Sequence, residues 1–293
     1  MTSNTKPTLL SWLTLLLLSL VWGSSFILIK RGLVAYSSDQ VGALRITFAF
    51  LTMLPFSLQN LRKIPKQKMG FIVFSGFIGT LIPAFLFAVA ETNLSSSIAG
   101  VVNALTPLFT ILIAVLVFKN KTKSTQIIGL LTAFLGVTLL SFINNIGSLG
   151  NLNYYVLFVI IATVCYGANT NVIKVYLSDF NAITLTSLAM LFIGPICILY
   201  LFLGTDFTNV LNSHQQSWSS LGYLVILGGV GTSGALVLFN QLIRTTSPVF
   251  AVTVTYLIPI VAILWGLVDG EQLFPLHYFG FLMILVGVYI TNK

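Results

Sequence analysis

Residues 103–123 read NALTPLFTILIAVLVFKNKTK, and residues 255–273 read TYLIPIVAILWGLVDGEQL. Each stretch places a proline inside an apolar run, where the missing amide donor would free a backbone carbonyl of a helix. The first run ends in lysines, whereas the second ends in two acids. Because lysines mark the cytoplasmic side of a membrane protein, two similar segments with opposite end charges predict that one copy lies upside down relative to the other.

Residue pairs of this kind recur along the whole chain at nearly constant offsets. At an offset of 144 residues, Trp22-Gly23 and Lys30 recur as Tyr166-Gly167 and Lys174. At an offset of 152, Gly70, Gly79-Thr80, Ala99 and Pro107 recur as Gly222, Gly231-Thr232, Ala251 and Pro259. At an offset of 151, Gly129 and Gly136 recur as Gly280 and Gly287. Such self-similarity predicts an internal duplication.

The composition excludes a water-soluble domain. Of the 293 residues, 57% are hydrophobic and 7% are charged, whereas about a quarter of the residues in soluble domains are charged. So few charges cannot cover a folded chain of this size, so most of its surface must face lipid. The two cysteines, Cys165 and Cys197, lie in apolar runs and are too few for a disulfide framework or a metal site. We therefore expect neither a metal nor a cofactor.

Ten apolar runs are long enough to cross a bilayer as helices, and lipid leaves no partner for unpaired backbone amides. We predict an all-α, polytopic membrane protein with ten transmembrane helices at 9–29, 41–58, 70–90, 97–117, 125–142, 153–173, 182–203, 220–241, 249–268 and 274–291. The apolar stretch after Lys6 lacks a cleavage pattern, so it is the first span rather than a signal peptide. The connections leave no room for a soluble domain.

Loop charges predict the orientation in the membrane. Lysines and arginines concentrate in alternate loops, which is the pattern of the cytoplasmic side. These cytoplasmic residues are Lys6, Arg62, Lys63, Lys66, Lys68, Lys119, Lys121, Lys123, Lys174, Arg244 and Lys293. Lys30 and Arg31 fall on the other side, as do most of the acids: Asp39, Glu91, Asp206, Asp269 and Glu271. Both termini are then cytoplasmic, and the net charge of +8 needs no nucleic-acid partner.

The predicted repeat unit holds five spans, so the second copy must be inverted. We expect residues 1–148 to form the first five-helix repeat and residues 149–293 the second. Inverted repeats support carriers, because two half-structures of similar energy can exchange roles around a central site. The alternative is a ten-helix membrane protein whose symmetry is accidental.

Four stretches carry a resemblance to a known family. VWGSSF at 21–26, ALRITFAFLTMLP at 43–55, and the two proline-containing stretches resemble the two EamA repeats of the drug/metabolite transporter superfamily. The resemblance covers essentially the whole chain. It implies a secondary transporter of small metabolites in a bacterial cytoplasmic membrane, often an exporter of amino acids or related compounds. The chain departs from the family in carrying Lys119 where an acid is usual, whereas Glu271 keeps the acid in the second copy.

Residues near mid-membrane are the candidates for substrate binding, because inverted-repeat carriers place their site there. Trp22 and Tyr166 are equivalent by the repeat and could stack on a planar or apolar substrate. They could equally pack against small neighbours. The substrate-binding candidates are Trp22, Asn103, Tyr166, Asn169, Thr255 and Tyr256.

Helix-breaking residues are candidates for gating. Pro107 and Pro259 follow Asn103 and Thr255 by four residues, so freed carbonyls should lie beside polar side chains, although a kink that only shapes packing remains open. The GGVGTSG stretch at 228–234 could bend, or it could allow close helix contact. The gating candidates are Pro83, Pro107, Gly231, Gly234 and Pro259. Glycines spaced by seven in the fifth and tenth spans could also serve a homodimer.

Two charged residues close to spans need separate interpretation. Glu91 ends the third span and is the candidate for ion coupling, because proton-coupled carriers usually keep a carboxylate in the pathway. Arg45 lies inside the second span, about a turn from its outer boundary. We expect Arg45 to reach the membrane surface or to pair with Asp39 or Glu91, which would make it structural.

Other functions fit the residues less well. An organophosphate or nucleotide-sugar antiporter would need two or more cations at mid-depth. An intramembrane enzyme would need an activated acid, nucleophile or metal set in the spans, and neither HExxH nor G-x-S-x-G occurs. A channel would need a ring of charges or a carbonyl filter. The expected partners are therefore a small-molecule substrate and the lipid bilayer.

Overall fold

A computed structural model describes residues 8–61, 65–119, 124–143, 152–246, 251 and 254–291. Over these residues the chain is all-helical, which confirms the predicted fold class. The first half contains α1 (Leu9–Gly32), α2 (Ser38–Asn60), α3 (Lys66–Gly76), a π-helical segment π1 (Phe77–Leu81), α4 (Ile82–Ala90), α5 (Ser96–Asn103), α6 (Thr106–Leu116) and α7 (Ser124–Phe142).

The second half repeats this order with one addition. It contains α8 (Tyr155–Tyr176), α9 (Ala182–Leu203), α10 (Phe207–Ser213), α11 (Ser217–Gly228), a second π-helical segment π2 (Gly229–Gly234), α12 (Ala235–Thr245), α13 (Val254–Val268) and α14 (Pro275–Thr291). The short helix α10 lies in the connection between the predicted spans 182–203 and 220–241. The two π-helical segments begin 152 residues apart, at Phe77 and Gly229.

Seven helical stretches of the described chain are long and apolar enough to cross a membrane. They are Leu9–Gly32, Ser38–Asn60, Lys66–Ala90, Ser96–Leu116, Tyr155–Tyr176, Ala182–Leu203 and Ser217–Leu242. The other three predicted spans coincide with shorter apolar helices at Ile127–Leu140, Leu257–Val268 and Pro275–Gly287. An integral membrane protein is therefore established, and ten crossings stay a prediction.

Three of the long stretches are irregular near their middles. In the third, π1 precedes Pro83, which cannot donate a backbone hydrogen bond. In the fourth, α5 ends at Asn103 and α6 begins at Thr106, immediately before Pro107. In the seventh, π2 coincides with the glycine-rich stretch. By contrast, α13 runs through Pro259 from Val254 onward, so it contains no interruption like the one before Pro107.

Glycines sit where helices cross at close range. A Cβ atom added to Gly23 would lie 2.4 Å from Cβ of Val261, and one added to Gly167 would lie 2.8 Å from the backbone carbon of Phe109. A Cβ added to Gly287 would lie 2.5 Å from the amide nitrogen of Ala133, so α7 and α14 meet within one chain through the glycines that a homodimer could also use. Small residues allow such close helix packing in membranes.

One end of the helical bundle, which we call the ion-pair end, holds Lys30, Arg31, Asp269 and Glu271. Lys30 Nζ lies 2.7 Å from a carboxylate oxygen of Asp269 and 3.2 Å from one of Glu271, and Arg31 also pairs with Asp269. Loop charges place all four residues on the same side of the membrane, and the structure brings them together.

Further contacts show which helix termini lie at the ion-pair end. The end of α1 meets the start of α11, where Ser220 Oγ donates to the Arg31 carbonyl at 2.8 Å. The end of α9 meets the start of α2, where the Tyr200 hydroxyl donates to Asp39 at 2.9 Å. The end of α4 and the start of α5 meet the chain after α13 through Ser96. The start of α8 joins them, because the Asn153 side chain donates to the backbone carbonyl between α4 and α5 at 3.1 Å.

Candidate functional site

The predicted site residue Trp22 contacts the second half of the chain. Its indole Nε1 donates a hydrogen bond to the Gly231 carbonyl in π2 at 3.1 Å. Its ring packs on Phe239 of α12 with centroids 5.0 Å apart. A π-helical turn shifts the backbone hydrogen-bond pattern by one residue, so a carbonyl inside it can serve a side chain from another helix. Gly231 thus anchors Trp22 at the boundary between the two halves.

Tyr166, the repeat equivalent of Trp22, has a different environment. Its ring stacks against Phe87 of α4 with centroids 6.1 Å apart, and Phe87 in turn meets Phe26 of α1 edge to face at 5.7 Å. Trp22 and Tyr166 therefore both sit among aromatic side chains, but each is held by its own partners. We call the surroundings of Phe87 and Tyr166, where α4 meets α8, the interior region.

Arg45 is the residue for which the sequence-based expectation is wrong. Its side chain is only 8% exposed, so it does not reach the membrane surface, and it forms an ion pair with neither Asp39 nor Glu91. Instead Nε donates to the Thr232 hydroxyl of π2 at 2.9 Å. The guanidinium is also close enough to the Tyr166 hydroxyl for its charge to act on it.

Three consecutive residues of π2 therefore bind three side chains of the first half. Gly231 accepts from Trp22, Thr232 accepts from Arg45, and the Ser233 hydroxyl lies 2.7 Å from that of Thr52. Thr232 and Ser233 are both buried. The turn that sequence patterning marks only as glycine-rich is thus the surface on which α1 and α2 dock.

Glu91 follows the last residue of the third span and is 6% exposed. Its Oε2 accepts a hydrogen bond from the Ser96 hydroxyl at 3.2 Å, whereas its Oε1 is buried without a hydrogen-bond partner among the described residues. Burial raises the pKa of the Glu91 carboxyl well above its usual range, and the nearby Glu271 charge acts in the same direction. The charges of Arg45 and Lys30 oppose this effect.

Asn169 lies one helical turn from Tyr166 on α8. It packs against π1, since a Cβ added to Gly79 would come within 2.1 Å of its amide nitrogen. Its Oδ1 is buried and has no hydrogen-bond partner in the described part of the chain. Its neighbour Asn171 instead joins two helices, because its amide donates to the carbonyls of Thr110 and Gly167, each at 2.9 Å.

The remaining predicted site residues lie on the two proline-containing segments. Asn103 is half-buried at the end of α5, where its backbone carbonyl accepts from the Thr106 hydroxyl at 2.8 Å. Thr255 is half-buried in the first turn of α13. The side chain of Tyr256 lies outside the described residues. The part that Asn103 and Thr255 play in the site stays a prediction.

The ion-pair end closes over this interior region from one side. The Glu271 carboxylate accepts from the backbone amides of Ser96 and Ser97 at 2.8 and 3.2 Å and from the Ser97 hydroxyl at 2.6 Å, besides its contact with Lys30. We call this set of contacts the Glu271 latch. It ties the loop after α13 to the start of α5 and to the end of α1, and Ser96 links it directly to Glu91.

Comparisons with known proteins match this chain twice to one family model. The model of the EamA-like transporter family matches residues 9–142 and again residues 153–293. An uncharacterized transporter of Archaeoglobus fulgidus is 27% identical over 283 residues, which cover 96% of this chain and 98% of that protein. The uncharacterized inner membrane transporter YedA of Escherichia coli K12 is 26% identical over 283 residues, covering 94% of this chain and 88% of YedA.

The overall architecture also matches a solved structure. A crystal structure of another protein superposes with a TM-score of 0.63 at 15% identity, and the match covers 96% of this chain and 95% of that one. At this identity the likeness extends to the fold alone.

Proposed function

The chain belongs to the EamA-like transporter family, and we propose that it is a secondary transporter that exports a small neutral or zwitterionic metabolite, such as an amino acid or a related compound. The observation that carries this proposal is the buried polar region around Arg45, which lies between α1, α2 and α4 of the first half and α8 and π2 of the second. Polar and charged groups are costly inside a membrane protein and usually mark a substrate pathway.

Alternating access between two inverted five-helix repeats is the mechanism we propose. The directions of the helices support this mechanism. The spans that finish with α1, α4, α9 and α13 end at the ion-pair end, whereas the spans predicted to be their repeat partners begin there, with α8, α11, α2 and α5 respectively. Opposite directions within each pair are what an inverted repeat requires. The similarity to YedA, which is described as an inner membrane transporter, supports placement in a bacterial cytoplasmic membrane.

Thiol labelling tests the inversion and the orientation together. In a chain whose Cys165 and Cys197 are replaced by alanine, single cysteines are introduced at the exposed positions Lys119 and Gln272. We expect a membrane-impermeant maleimide to label Lys119→Cys from the cytoplasmic side and Gln272→Cys from the opposite side. A cysteine at the exposed Thr92 serves as the control, because it should behave like Gln272→Cys. Labelling of positions 119 and 272 from the same side would overturn the inverted repeat.

Transport by purified protein tests the proposed function directly. Liposomes loaded with a panel of amino acids, amines, sugars and organophosphates are diluted into buffer that contains one radiolabelled compound, and counterflow is recorded. We expect at least one neutral or zwitterionic compound to exchange, and organophosphates to fail because the site offers one buried cation to a dianion. The control is protein with Arg45→Gln in the same lipid. Exchange of none of these compounds, while a control carrier is active, would reject the substrate class.

Glu91 is the proposed coupling group. The groups that face it are Ser96 from α5, Arg45 from α2, Lys30 from α1 and Glu271 from the loop after α13. Because burial raises the pKa of Glu91, the carboxyl keeps its proton to higher pH than an exposed glutamate does. We expect wild-type exchange to depend on pH and the Glu91→Gln protein to have lost that dependence. An unchanged pH profile in Glu91→Gln would exclude Glu91 as the coupling group.

A further inference from the structure

Arg45 and Glu91 are two buried ionisable residues that form no ion pair with each other. Both lie in the described part of the chain, and no ion-pair contact of 4.0 Å or less joins them. They are nevertheless close enough for the charge of Arg45 to act on the Glu91 carboxyl. Burying an ionisable side chain without a partner of opposite charge is costly, so this arrangement calls for a reason.

Arg45 is held in place by neutral groups. Nε bonds to the hydroxyl of Thr232, and Tyr166 is the other neighbour within reach of the guanidinium. A guanidinium has five N–H donors, and the Thr232 contact uses the one at Nε. The two terminal nitrogens form the fork that binds a carboxylate through two parallel hydrogen bonds.

In Glu91, one carboxylate oxygen is hydrogen-bonded, and the other has no hydrogen-bond partner among the described residues. Ser96 fixes Oε2, and Ser96 is itself fixed because its amide donates to Glu271. Oε1 is buried and without a hydrogen-bond partner among the described residues. Unmet acceptors of this kind are rare in folded proteins, and an ammonium group would supply both a donor and a compensating charge.

We propose that Arg45 and Glu91 are the two poles of a site that binds a zwitterion, with the carboxylate of the ligand on the Arg45 guanidinium and its ammonium on Glu91 Oε1. This inference rests on the proposed transport function and names the substrate class of the same region. The rings of Phe87 and Tyr166 lie beside both poles, since Phe87 is one turn before Glu91 and stacks on Tyr166. A zwitterion with an apolar or aromatic side chain fits these surroundings.

The same charges discriminate against other ligands. A phosphate monoester carries two negative charges and would meet a single buried cation, because Lys30 is already paired with Asp269 and Glu271. An amine without a carboxylate would leave Arg45 uncompensated. When a zwitterion binds, its ammonium takes the place of the proton on Glu91, and that proton passes to water. Substrate and proton then compete for one carboxyl, as the proposed coupling requires.

Chemically blocked amino acids test the two poles separately. The probes are phenylalanine, leucine and threonine, each with its amide, which keeps only the ammonium, and its N-acetyl derivative, which keeps only the carboxylate. Binding to purified full-length protein is measured by ligand-induced shifts in melting temperature, which rise with occupancy of the native fold. We expect at least one free amino acid to bind about 30-fold or more tightly than both of its blocked forms, as expected for losing one buried charge contact.

Two substitutions then assign the poles. Arg45→Gln should weaken binding of the free amino acid and of its N-acetyl form about 30-fold or more and leave binding of the amide unchanged. Glu91→Gln should weaken binding of the free amino acid and of the amide and leave binding of the N-acetyl form unchanged. Arg45→Lys, which keeps the charge and loses the fork, should fall between wild type and Arg45→Gln. Melting temperatures without ligand show whether each variant is folded.

The outcomes separate this inference from the proposed function. Crossed losses, each specific to one charge of the ligand, would support the two poles. Equal losses for all three forms of an amino acid would mean that Arg45 and Glu91 only shape the structure, and would overturn the inference. If no free amino acid binds, but an amine, a sugar or an organophosphate is exchanged in liposomes, the zwitterion site is rejected and transport stands. Absence of any exchange would reject both.

Discussion

Replacing Glu271 by alanine is expected to open the ion-pair end of the bundle. The carboxylate accepts two backbone amides, the Ser97 hydroxyl and Lys30, and its side chain is only 5% exposed. Hydrogen bonds to a charged group contribute about 1.5–3 kcal/mol each, and breaking a buried charged network costs about 3–5 kcal/mol. A loss of about 3 kcal/mol in the closed state would change the ratio of closed to open forms about 100-fold.

The accessibility of a buried position behind the latch measures this opening. Ser25 is buried in α1, five residues before Lys30. In a background without Cys165 and Cys197, Ser25→Cys should react slowly with an impermeant thiol reagent added at the ion-pair end. The reaction should become about 10- to 100-fold faster when Glu271→Ala is added. Gln272→Ala, at the exposed neighbouring position, is the matched control and should leave the rate unchanged. An unchanged rate in Glu271→Ala would show that other contacts keep this end closed.

The latch cannot be reproduced at the other end of the bundle by its repeat equivalents. The offsets pair Lys30 with Lys174 and Glu271 with Lys119, so the equivalent contact would join two cations. Lys119 is exposed and has a positive φ of 55°, outside any helix. Like charges repel, so the contacts of the Glu271 latch have no counterpart among the residues that the offsets pair with it. Lys119 therefore distinguishes the two ends of the bundle as clearly as Glu271 does.

Hydropathy predicted the long apolar helices and their order, because each apolar run must bury its backbone in helical hydrogen bonds. The predicted span 182–203 coincides with α9. The short helix α10 was missed because Phe207–Ser213 is neither apolar enough for a span nor long enough for a clear amphipathic period. The break before Pro107 was foreseeable from the missing amide donor, whereas π2 contains no proline and shows only a high density of glycine.

The site was predicted less completely, and Arg45 shows why. Sequence gives the depth of a residue in a span but not the direction of its side chain, so a position near the outer boundary suggested the membrane surface. The side chain instead points into the bundle and meets Thr232. One signal was present, since Thr80 and Thr232 recur at the 152-residue offset inside the two π-helical segments. A buried hydroxyl kept in both copies needs a partner, and the only basic residue inside a predicted span was the natural candidate.

Alanine at Gly23 or Gly167 is expected to destabilise the protein by about 1–3 kcal/mol, and leucine at either position to prevent folding. A Cβ at Gly23 would lie 3.0 Å from the Ile258 carbonyl, besides its contact with Val261, and one at Gly167 would lie 2.8 Å from the amide nitrogen of Thr110. Contacts with backbone atoms cannot be relieved by a change of rotamer, so the helices themselves must move apart. Thermal unfolding in detergent, followed by intrinsic fluorescence, measures the loss.

The chain offers a matched control for this prediction. Gly70 and Gly222 are also repeat equivalents, and a Cβ added to either meets nothing within 4 Å. Alanine at these positions should be neutral, or stabilising by up to about 1 kcal/mol, because it is the better helix former. If Gly167→Ala is as stable as Gly70→Ala, the close crossing of α6 and α8 is wrong. If alanine at Gly23 and alanine at Gly167 destabilise the protein to a similar extent, the proline-containing segments of the two halves pack against their partner helices in the same way. Alternating access between equivalent halves needs such similar packing.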